Sequence, residues 1–192
     1  MINSFILFVL SILIINGQGF VLNNILTPKQ KQRVETLINP SSDPLGSGWN
    51  ITQSKIAIGS GGVFGKGFLK GTQTGLNFVP IQSTDFIFSV IGEEFGYLGS
   101  MIFIILYVIF LYRILILSEA QKDRFARVFG YSVFSIFLFH FTINVSMTLG
   151  LFPVIGIPLS LISYGGSSLL SFSLLLFVFL KLNGVKSAIL GR

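Results

Sequence analysis

A long apolar run from Phe86 to Leu111 constrains the fold more than any other feature of this sequence. Roughly 20 apolar residues suffice for a helix to cross a bilayer, so this run predicts a membrane-spanning helix. One acidic residue, Asp85, stands directly before it. Ionisable groups at a membrane are rare because they are costly, which makes Asp85 a functional candidate. An Asp at a helix start is also typical of a plain N-terminal cap.

The composition is that of a membrane protein. Hydrophobic residues make up 52% of the chain and charged residues only 10%, against roughly 25% charged residues in soluble domains. The chain has no cysteine, which excludes disulfides, thiolate metal sites and cysteine nucleophiles. The net charge of +6 points to lipid headgroups and membrane topology, and no nucleic-acid partner is expected.

Four segments could cross the bilayer, so the sequence predicts an all-α polytopic membrane protein with a single membrane domain over residues 1–192. The four run over about 5–22, 86–111, 128–149 and 169–182. A signal peptide is the rival interpretation of the first, and we favour a retained span because no basic residue precedes it. The fourth reaches the required length only if it starts near Ser163.

Basic residues orient these spans. One group lies between spans two and three and another in the C-terminal tail: Arg113, Lys122, Arg124, Arg127, Lys181, Lys186 and Arg192. By the positive-inside rule both termini are cytoplasmic, and residues 23–84 and 150–166 are extracytoplasmic. The long loop carries the remaining six basic residues, a conflict that is tolerable because long segments obey the rule poorly.

The long loop is expected to carry short amphipathic helices. Thr27 is followed by a proline and, three residues on, by Gln30, which is typical of a capped helix start. Asn39 and Pro40 predict the end of that helix. Residues 51–58 predict another short element.

Two glycine clusters indicate irregular backbone. Residues 59–67 fail the phosphate-loop pattern, which leaves a tight turn or a backbone nest in which Lys66 faces an anion such as a diphosphate headgroup. Residues 163–168 follow two prolines and a glycine at a span boundary. Irregular backbone at membrane depth survives only inside protein or beside a wet cavity, so residues 150–166 are expected to dip inward.

Two more acids, Glu93 and Glu94, lie within the second apolar run. In one continuous helix they would lie about 12–14 Å deeper than Asp85, too far to share a proton transfer with it. The same helix places Asp85 on one face with small residues, namely Ser89, Gly92 and Gly96. We expect the two glutamates to be paired with a polar or basic group, the alternative being part of a proton or substrate path.

His140 and Asn144 lie one turn apart on the third span and could face the same interior. We interpret His140 as a hydrogen-bonded structural residue.

Together these motifs resemble the SEDS family (RodA, FtsW, SpoVE), the membrane glycosyltransferases that polymerise peptidoglycan from lipid II. The matching residues include Gly48-Trp49, Gln53-Ser54, Ile58 to Gly62, Gly65-Lys66-Gly67, Gly71-Thr72-Gln73, Pro80, Thr84 to Glu94, Asn144, Pro153-Val154, Gly156 to Leu159 and Ser163 to Ser168. The resemblance covers nearly all of residues 25–185 and is closest to the RodA branch, which serves elongation and rod shape. It implies the C-terminal half of the family pattern.

The resemblance also implies roles for particular residues. Asp85 falls on the essential aspartate and would be the general base. Substrate-binding positions would be Gln53, Ser54, Lys66, Thr72, Gln73, Thr84, Asn144 and Ser167. Structural or cavity positions would be Glu93, Glu94, His140, Gly165 and Gly166. A divalent cation, Mg²⁺ or Mn²⁺, would neutralise the leaving polyprenyl diphosphate. The implied partner is a class B penicillin-binding protein of the elongation complex in the bacterial inner membrane.

Two positions depart from the family pattern: Ile81 replaces a glutamate that usually follows the proline, and Ser160 replaces a proline. Because the chain resembles only the later spans, little autonomous polymerase activity is expected. A lipid-precursor transporter and a non-catalytic scaffold for a penicillin-binding protein remain alternatives.

Overall fold

The computed structural model describes residues 27–44, 46–76 and 78–190. Every regular element in these residues is helical, which confirms the predicted all-α class. The elements are α1 (Pro28–Ile38), a 3₁₀ turn (Pro40–Ser42), α2 (Ser47–Ser60), α3 (Thr72–Gly75), α4 (Ile87–Glu119), α5 (Arg124–Thr148) and α6 (Gly166–Leu190). The predicted first span and the predicted positions of both termini lie outside the described residues.

Capping residues and prolines determine where the helices of the long loop begin and end. The Thr27 backbone N–H donates to Gln30 Oε1 at 2.9 Å, and Pro28 is the first residue of α1. Both features confirm the predicted capped start. The helix ends before Pro40, and the short element predicted over residues 51–58 is part of α2.

Three described helices are long and apolar enough to cross a membrane, namely α4, α5 and the Gly166–Gly184 part of α6. They correspond to the second, third and fourth predicted spans and indicate a multi-pass membrane protein. The Asp123 carboxylate caps α5 by accepting the Ala126 N–H at 3.1 Å.

Aromatic side chains form the core between α4, α5 and α6. The ring of Tyr107 on α4 stacks on Phe141 of α5 with centroids 4.2 Å apart, and Phe137 packs edge-on against Phe110 at 5.5 Å. Each such pair contributes about 0.5–1.5 kcal/mol beyond area burial. Because lipid tails are themselves apolar, close packing of this kind holds membrane helices together.

A sharp bend divides α4 at Gly96, where the backbone has φ 66° and ψ −162°. A straight helix would place Phe88 and Phe103 about 22 Å apart, but their ring centroids lie 6.1 Å apart. The short arm (residues 87–95) and the long arm (residues 97–119) therefore form a V with its apex at Gly96. The prediction of one straight crossing from Phe86 onward is wrong, and the long arm alone has the length of a span.

The loop of residues 61–67 supplies the hydrogen bonds that the bend leaves open. The N–H groups of Lys66 and Gly67 donate to the carbonyls of Glu93 and Glu94 at 3.1 and 2.9 Å. In return, the Tyr97 N–H donates to the Gly62 carbonyl at 2.9 Å. A broken helix is tolerated where protein re-satisfies its backbone. The anion-nest alternative for this loop is wrong at Lys66 and Gly67, because their N–H groups are already used.

The bend also reverses the expected depth of the acids. Gly96 precedes Tyr107 by eleven residues, whereas α5 ends only seven residues after Phe141, the stacking partner of Tyr107. The apex therefore projects beyond the end of α5, and Glu93 and Glu94 lie beside it. They are not deeper than Asp85, as a continuous helix predicted, because the short arm runs back outward from Asp85.

The two ends of the bundle differ in character. At one end the Tyr164 N–H donates to the Ser83 carbonyl at 2.8 Å, which joins residues 150–166 to the segment that carries Asp85. At the opposite end Gln121 Nε2 donates to Asn183 Oδ1, and Arg127 Nη2 donates to the Gln121 carbonyl at 2.6 Å. The exposed basic loop between α4 and α5, which carries Lys122 and ends at Arg124, therefore lies at the end of the bundle opposite Asp85.

Residues 150–166 are irregular until α6 begins, and they do reach inward. Leu159 and Ser160 are buried at 1% and 0% exposure. The hydroxyl of Ser160 lies 2.7 Å from that of Tyr107 in the aromatic core.

Candidate active site

Asp85 ends the segment that leads into the short arm, and α4 begins two residues later at Ile87. Phe86 occupies the N-cap position, and no described backbone N–H of the first turn donates to the Asp85 carboxylate. The interpretation of Asp85 as a plain helix cap is therefore wrong. A hydrogen bond from the Thr84 side chain is the described contact of its carboxylate, which does not cap the helix.

The main chain around Asp85 is held by side chains from other elements. Asn144 on α5 is fully buried, and its Nδ2 donates to the carbonyls of Asp85 at 2.9 Å and Ile157 at 2.8 Å. The Ser163 hydroxyl donates to the Thr84 carbonyl at 2.5 Å. These bonds fix where the Asp85 side chain leaves the backbone.

Gly156 faces the carboxylate directly. It has a φ of +81°, and a Cβ added there would lie 3.3 Å from Asp85 Oδ2. Glycine adopts this backbone conformation without strain and leaves the space beside the oxygen open. A larger residue would crowd the Asp85 carboxylate.

Burial raises the pKa of the Asp85 carboxyl above its ordinary value of 3.8, and a hydrogen bond from the Thr84 side chain partly opposes the rise. Burial disfavours the charged form because a carboxylate loses hydration that the protein does not fully replace. A carboxylate with a raised pKa is a stronger base, so this environment suits proton abstraction.

Glu93 has the opposite environment. Its side chain is completely buried and pairs with the Lys66 ammonium at 2.7 Å, which confirms the predicted pairing. Its oxygens also accept the backbone N–H groups of Thr72, Gln73 and Thr74 at 2.7, 2.8 and 2.8 Å. Glu93 thus anchors residues 66–74 to the short arm. For Glu94 the predicted pairing is wrong within the described residues, since none of them donates to its carboxylate.

The structure separates the predicted substrate-binding residues into groups. Thr84 and Asn144 lie with Asp85, whereas Lys66, Thr72 and Gln73 gather around Glu93. Their roles toward substrate stay predictions.

The remaining predicted substrate-binding residues lie on α2 and in the first turn of α6. The Ser54 hydroxyl donates to the Thr148 carbonyl at 2.8 Å, and the neighbouring Gln53 is buried. Ser167 is exposed near the start of α6, whose first residue is Gly166, and the Gly165 carbonyl accepts the Leu169 N–H at 2.9 Å.

His140 behaves as a structural residue. Its Nδ1 lies 3.3 Å from the Pro158 carbonyl, and its ring packs edge-on against Phe172 with centroids 4.8 Å apart.

Sequence reasoning missed two contributors to the site. Ser163 bridges two segments, since its Oγ accepts the Leu159 N–H at 2.8 Å while donating to Thr84. Gly156 provides the close approach to Asp85. The predicted inward turn was a signal for both, but it did not say which of its residues would reach Asp85.

The side chains near Asp85 limit how a metal ion could be bound. The described residues contain no group of three or more His, Asp or Glu side chains able to hold a metal. Asp85 is the one carboxylate in the contacts described for Asn144, Ser163 and Gly156. Magnesium bound to phosphates often takes only one or two protein carboxylates. One protein carboxylate would suffice for a cation that brings phosphate ligands of its own.

Comparison with known proteins places the chain in a family. The family model of FtsW, RodA and SpoVE, described as cell cycle proteins, matches residues 2–187. The chain is 49% identical to the peptidoglycan glycosyltransferase RodA of Treponema pallidum over 145 residues, covering 76% of this chain and 34% of RodA. It is 48% identical to the peptidoglycan glycosyltransferase MrdB of Escherichia coli K12 over 141 residues, covering 73% of this chain and 38% of MrdB.

A solved structure supports the same family assignment. A chain from work on the structural coordination of polymerization and crosslinking by a peptidoglycan synthase complex matches with a TM-score of 0.70 and 30% identity. The match covers 94% of this chain and 48% of that chain. This protein therefore spans less than half the length of these relatives. The family model, the identities and the shared fold together show that the chain belongs to the FtsW/RodA/SpoVE family of membrane cell cycle proteins.

Proposed function

We propose that this chain forms the catalytic part of a peptidoglycan glycosyltransferase of the RodA type, with Asp85 as its general base. The observation that carries the proposal is the half-buried Asp85 carboxylate, held by main-chain hydrogen bonds from Asn144 and Ser163 and flanked by Gly156. Homology to proteins named peptidoglycan glycosyltransferase supplies the reaction class.

The proposed step is a glycosyl transfer between two lipid-linked sugars. Asp85 takes the proton of a sugar hydroxyl on the acceptor, and that oxygen forms a bond to the anomeric carbon of the donor. The bond from this carbon to the polyprenyl diphosphate breaks, and the diphosphate leaves with the electron pair. General-base help of this kind contributes about 10²–10⁴-fold in rate.

We also propose a substrate-carried divalent cation, Mg²⁺ or Mn²⁺. When bound, it would offset negative charge on the leaving diphosphate. Asp85 would supply one protein ligand. Titrating Mn²⁺ onto the chain with polyprenyl diphosphate, and reading the electron paramagnetic resonance signal with Asp85→Asn as comparison, tests this ligand. Identical signals from both proteins would remove it.

The proposed location is the bacterial inner membrane, with residues 23–84 and the Asp85 end outside and both termini in the cytoplasm. The support is the exposed basic loop at the opposite end of the bundle, which the positive-inside rule assigns to the cytoplasm. The proposed substrates are lipid II and its polyprenyl diphosphate product. The proposed partner in cell elongation is a class B penicillin-binding protein, consistent with the crosslinking named for the solved relative.

The deciding experiment measures glycan polymerisation from purified lipid II in proteoliposomes. The native chain and Asp85→Asn are compared with and without a co-expressed N-terminal portion of a full-length relative. We expect polymer only from the native sequence, and Glu119→Gln, an exposed acid at the far end, should match it. Equal polymer from Asp85→Asn and the native chain would remove Asp85 as base. Lipid II translocation without polymer would instead support a transporter.

A further inference from the structure

A cavity of about 310 Å³ lies along the short arm of α4. Ile87, Val90 and Glu94 recur at helical spacing and form one wall. Leu69 from the preceding loop and Ser83 complete part of the lining. The walls are mainly apolar, and their polar side chains are two hydroxyls (Thr74 and Ser83), the Gln82 amide and the Glu94 carboxylate.

Glu94 is the one acidic side chain that lines this cavity. Its residue is only 7% exposed, and none of the described residues donates a hydrogen bond to its carboxylate or forms an ion pair with it. The neighbouring Glu93 differs, because both of its carboxylate oxygens accept hydrogen bonds from described residues. Neither Glu94 oxygen is among the buried unpaired polar atoms of the described residues, so the carboxylate opens into the cavity and can accept hydrogen bonds from a ligand there.

The cavity is close to the proposed base without containing it. Ser83 and Ile87, which line it, flank Asp85 by two residues on either side. From Ile87 the wall continues along the short arm to Glu94, about 10 Å further on. A ligand in this cavity would extend from the neighbourhood of Asp85 toward the apex of the V.

We propose that this cavity binds an N-acetylated sugar unit of the lipid-linked substrate, with Glu94 accepting hydrogen bonds from its hydroxyl or amide N–H groups. Peptidoglycan sugars carry several such donors, and a carboxylate forms strong charge-assisted bonds to them. The apolar walls suit the C–H faces and the acetyl methyl group. This assignment rests on the proposed function, because that function defines the substrate.

Binding measurements test the proposal without requiring turnover. The full chain in detergent is titrated with fluorescent lipid II and, in a parallel arm, with polyprenyl diphosphate lacking the sugars. Exchanging a charged for a neutral acceptor in Glu94→Gln should weaken lipid II binding about tenfold. The affinity for the sugar-free lipid should not change, and Glu94→Asp should recover part of the loss.

The controls separate a binding role from a structural one. Glu119→Gln should bind both lipids as the native chain does, and Glu94→Gln should not lower the thermal unfolding temperature. Native-like lipid II affinity in Glu94→Gln, an equal loss for both lipids, or a lower unfolding temperature would each overturn the sugar site. Asp85→Asn should still bind lipid II while failing to polymerise it. The sugar site can therefore fail while Asp85 keeps its role, and polymer formation by Asp85→Asn would refute the base alone.

Discussion

The ion pair between Lys66 and Glu93 helps to tie residues 66–74 to the short arm of α4. The ammonium lies 2.7 Å from Glu93 Oε1, with the lysine side chain 25% exposed and the glutamate fully buried. Removing one partner of a buried pair costs about 3–5 kcal/mol. In Lys66→Met the carboxylate keeps its backbone N–H donors, so we expect a smaller cost of about 1.5–3 kcal/mol, that of one hydrogen bond to a charged group.

Glu93→Gln should cost more than Lys66→Met. In the native chain Lys66 and two backbone N–H groups donate to Glu93 Oε1, and the Thr74 N–H donates to Oε2. The NH₂ of the new amide would therefore face a donor in either orientation. A cost of about 3–5 kcal/mol is expected. The double variant should lose less than the sum of the single variants, since groups in one network are coupled.

Hydrogen exchange of the Thr72, Gln73 and Thr74 amides measures this cost locally, because these N–H groups donate to Glu93. A loss of 1.5–3 kcal/mol corresponds to roughly 10- to 150-fold faster exchange in Lys66→Met. Lys70→Met is the matched control, since it removes an exposed lysine of the same loop. Unchanged exchange in Lys66→Met, or equal acceleration in Lys70→Met, would refute the argument.

Three further predictions concern the same region. Asn144→Ala should lower the free energy of unfolding by about 1–3 kcal/mol for each buried carbonyl left unpaired, as thermal unfolding would measure. It should also reduce polymerisation in the lipid II assay, because the main chain at Asp85 is no longer held. Gly61→Ala should destabilise the chain, because its Cβ would lie 2.1 Å from the Gly92 carbonyl oxygen, whereas Gly59→Ala meets nothing within 4 Å; similar unfolding temperatures for both would contradict this. Because burial raises the pKa of Asp85, its contribution to stability is fully present below the ordinary value of 3.8 and is lost as the pH rises through the higher folded value. Asp85→Asn should therefore unfold at a higher temperature than the native chain at pH 7 but not below pH 3.8, and equal temperatures at pH 7 would refute the buried environment.

Local signals predicted the helices well, because apolar runs and caps act within a few residues. The capped start of α1 at Thr27 and the positions of α5 and α6 follow from such signals. The bend at Gly96 could not be predicted in this way. A glycine in an apolar helix is equally compatible with close packing, and it becomes a break here because residues 61–67 pair with the exposed backbone. That pairing joins segments about 30 residues apart in the sequence.

The candidate site shows the same division. Asp85 was identifiable from its place before an apolar run and from the family motifs. Its supports are distant in sequence, because Asn144 bonds the Asp85 carbonyl from 59 residues away and Ser163 bonds the Thr84 carbonyl from 79 residues away. Glu93 was expected to have a partner, but no local pattern identified Lys66 as that partner. Side-chain contacts between distant segments depend on the path of the loops, which periodicity does not describe.

Three acids within ten residues have three different environments because of one bend. Glu93 lies where residues 66–74 cross the short arm, so donors occupy both of its oxygens and it anchors the loop. Glu94, the next residue, lines a cavity between the short arm and residues 69–83, where no described group donates to its carboxylate. Asp85 lies at the tip of the short arm, where the protein holds its backbone and leaves its carboxylate open. A proton acceptor must have a free oxygen when the substrate arrives, and that requirement excludes Glu93 and favours Asp85. In a straight helix the backbone groups at residues 93–98 would bond within the helix, and the loop of residues 61–67 could not pair with them. The bend is therefore what allows Glu93 to anchor the loop while Asp85 stays available for chemistry.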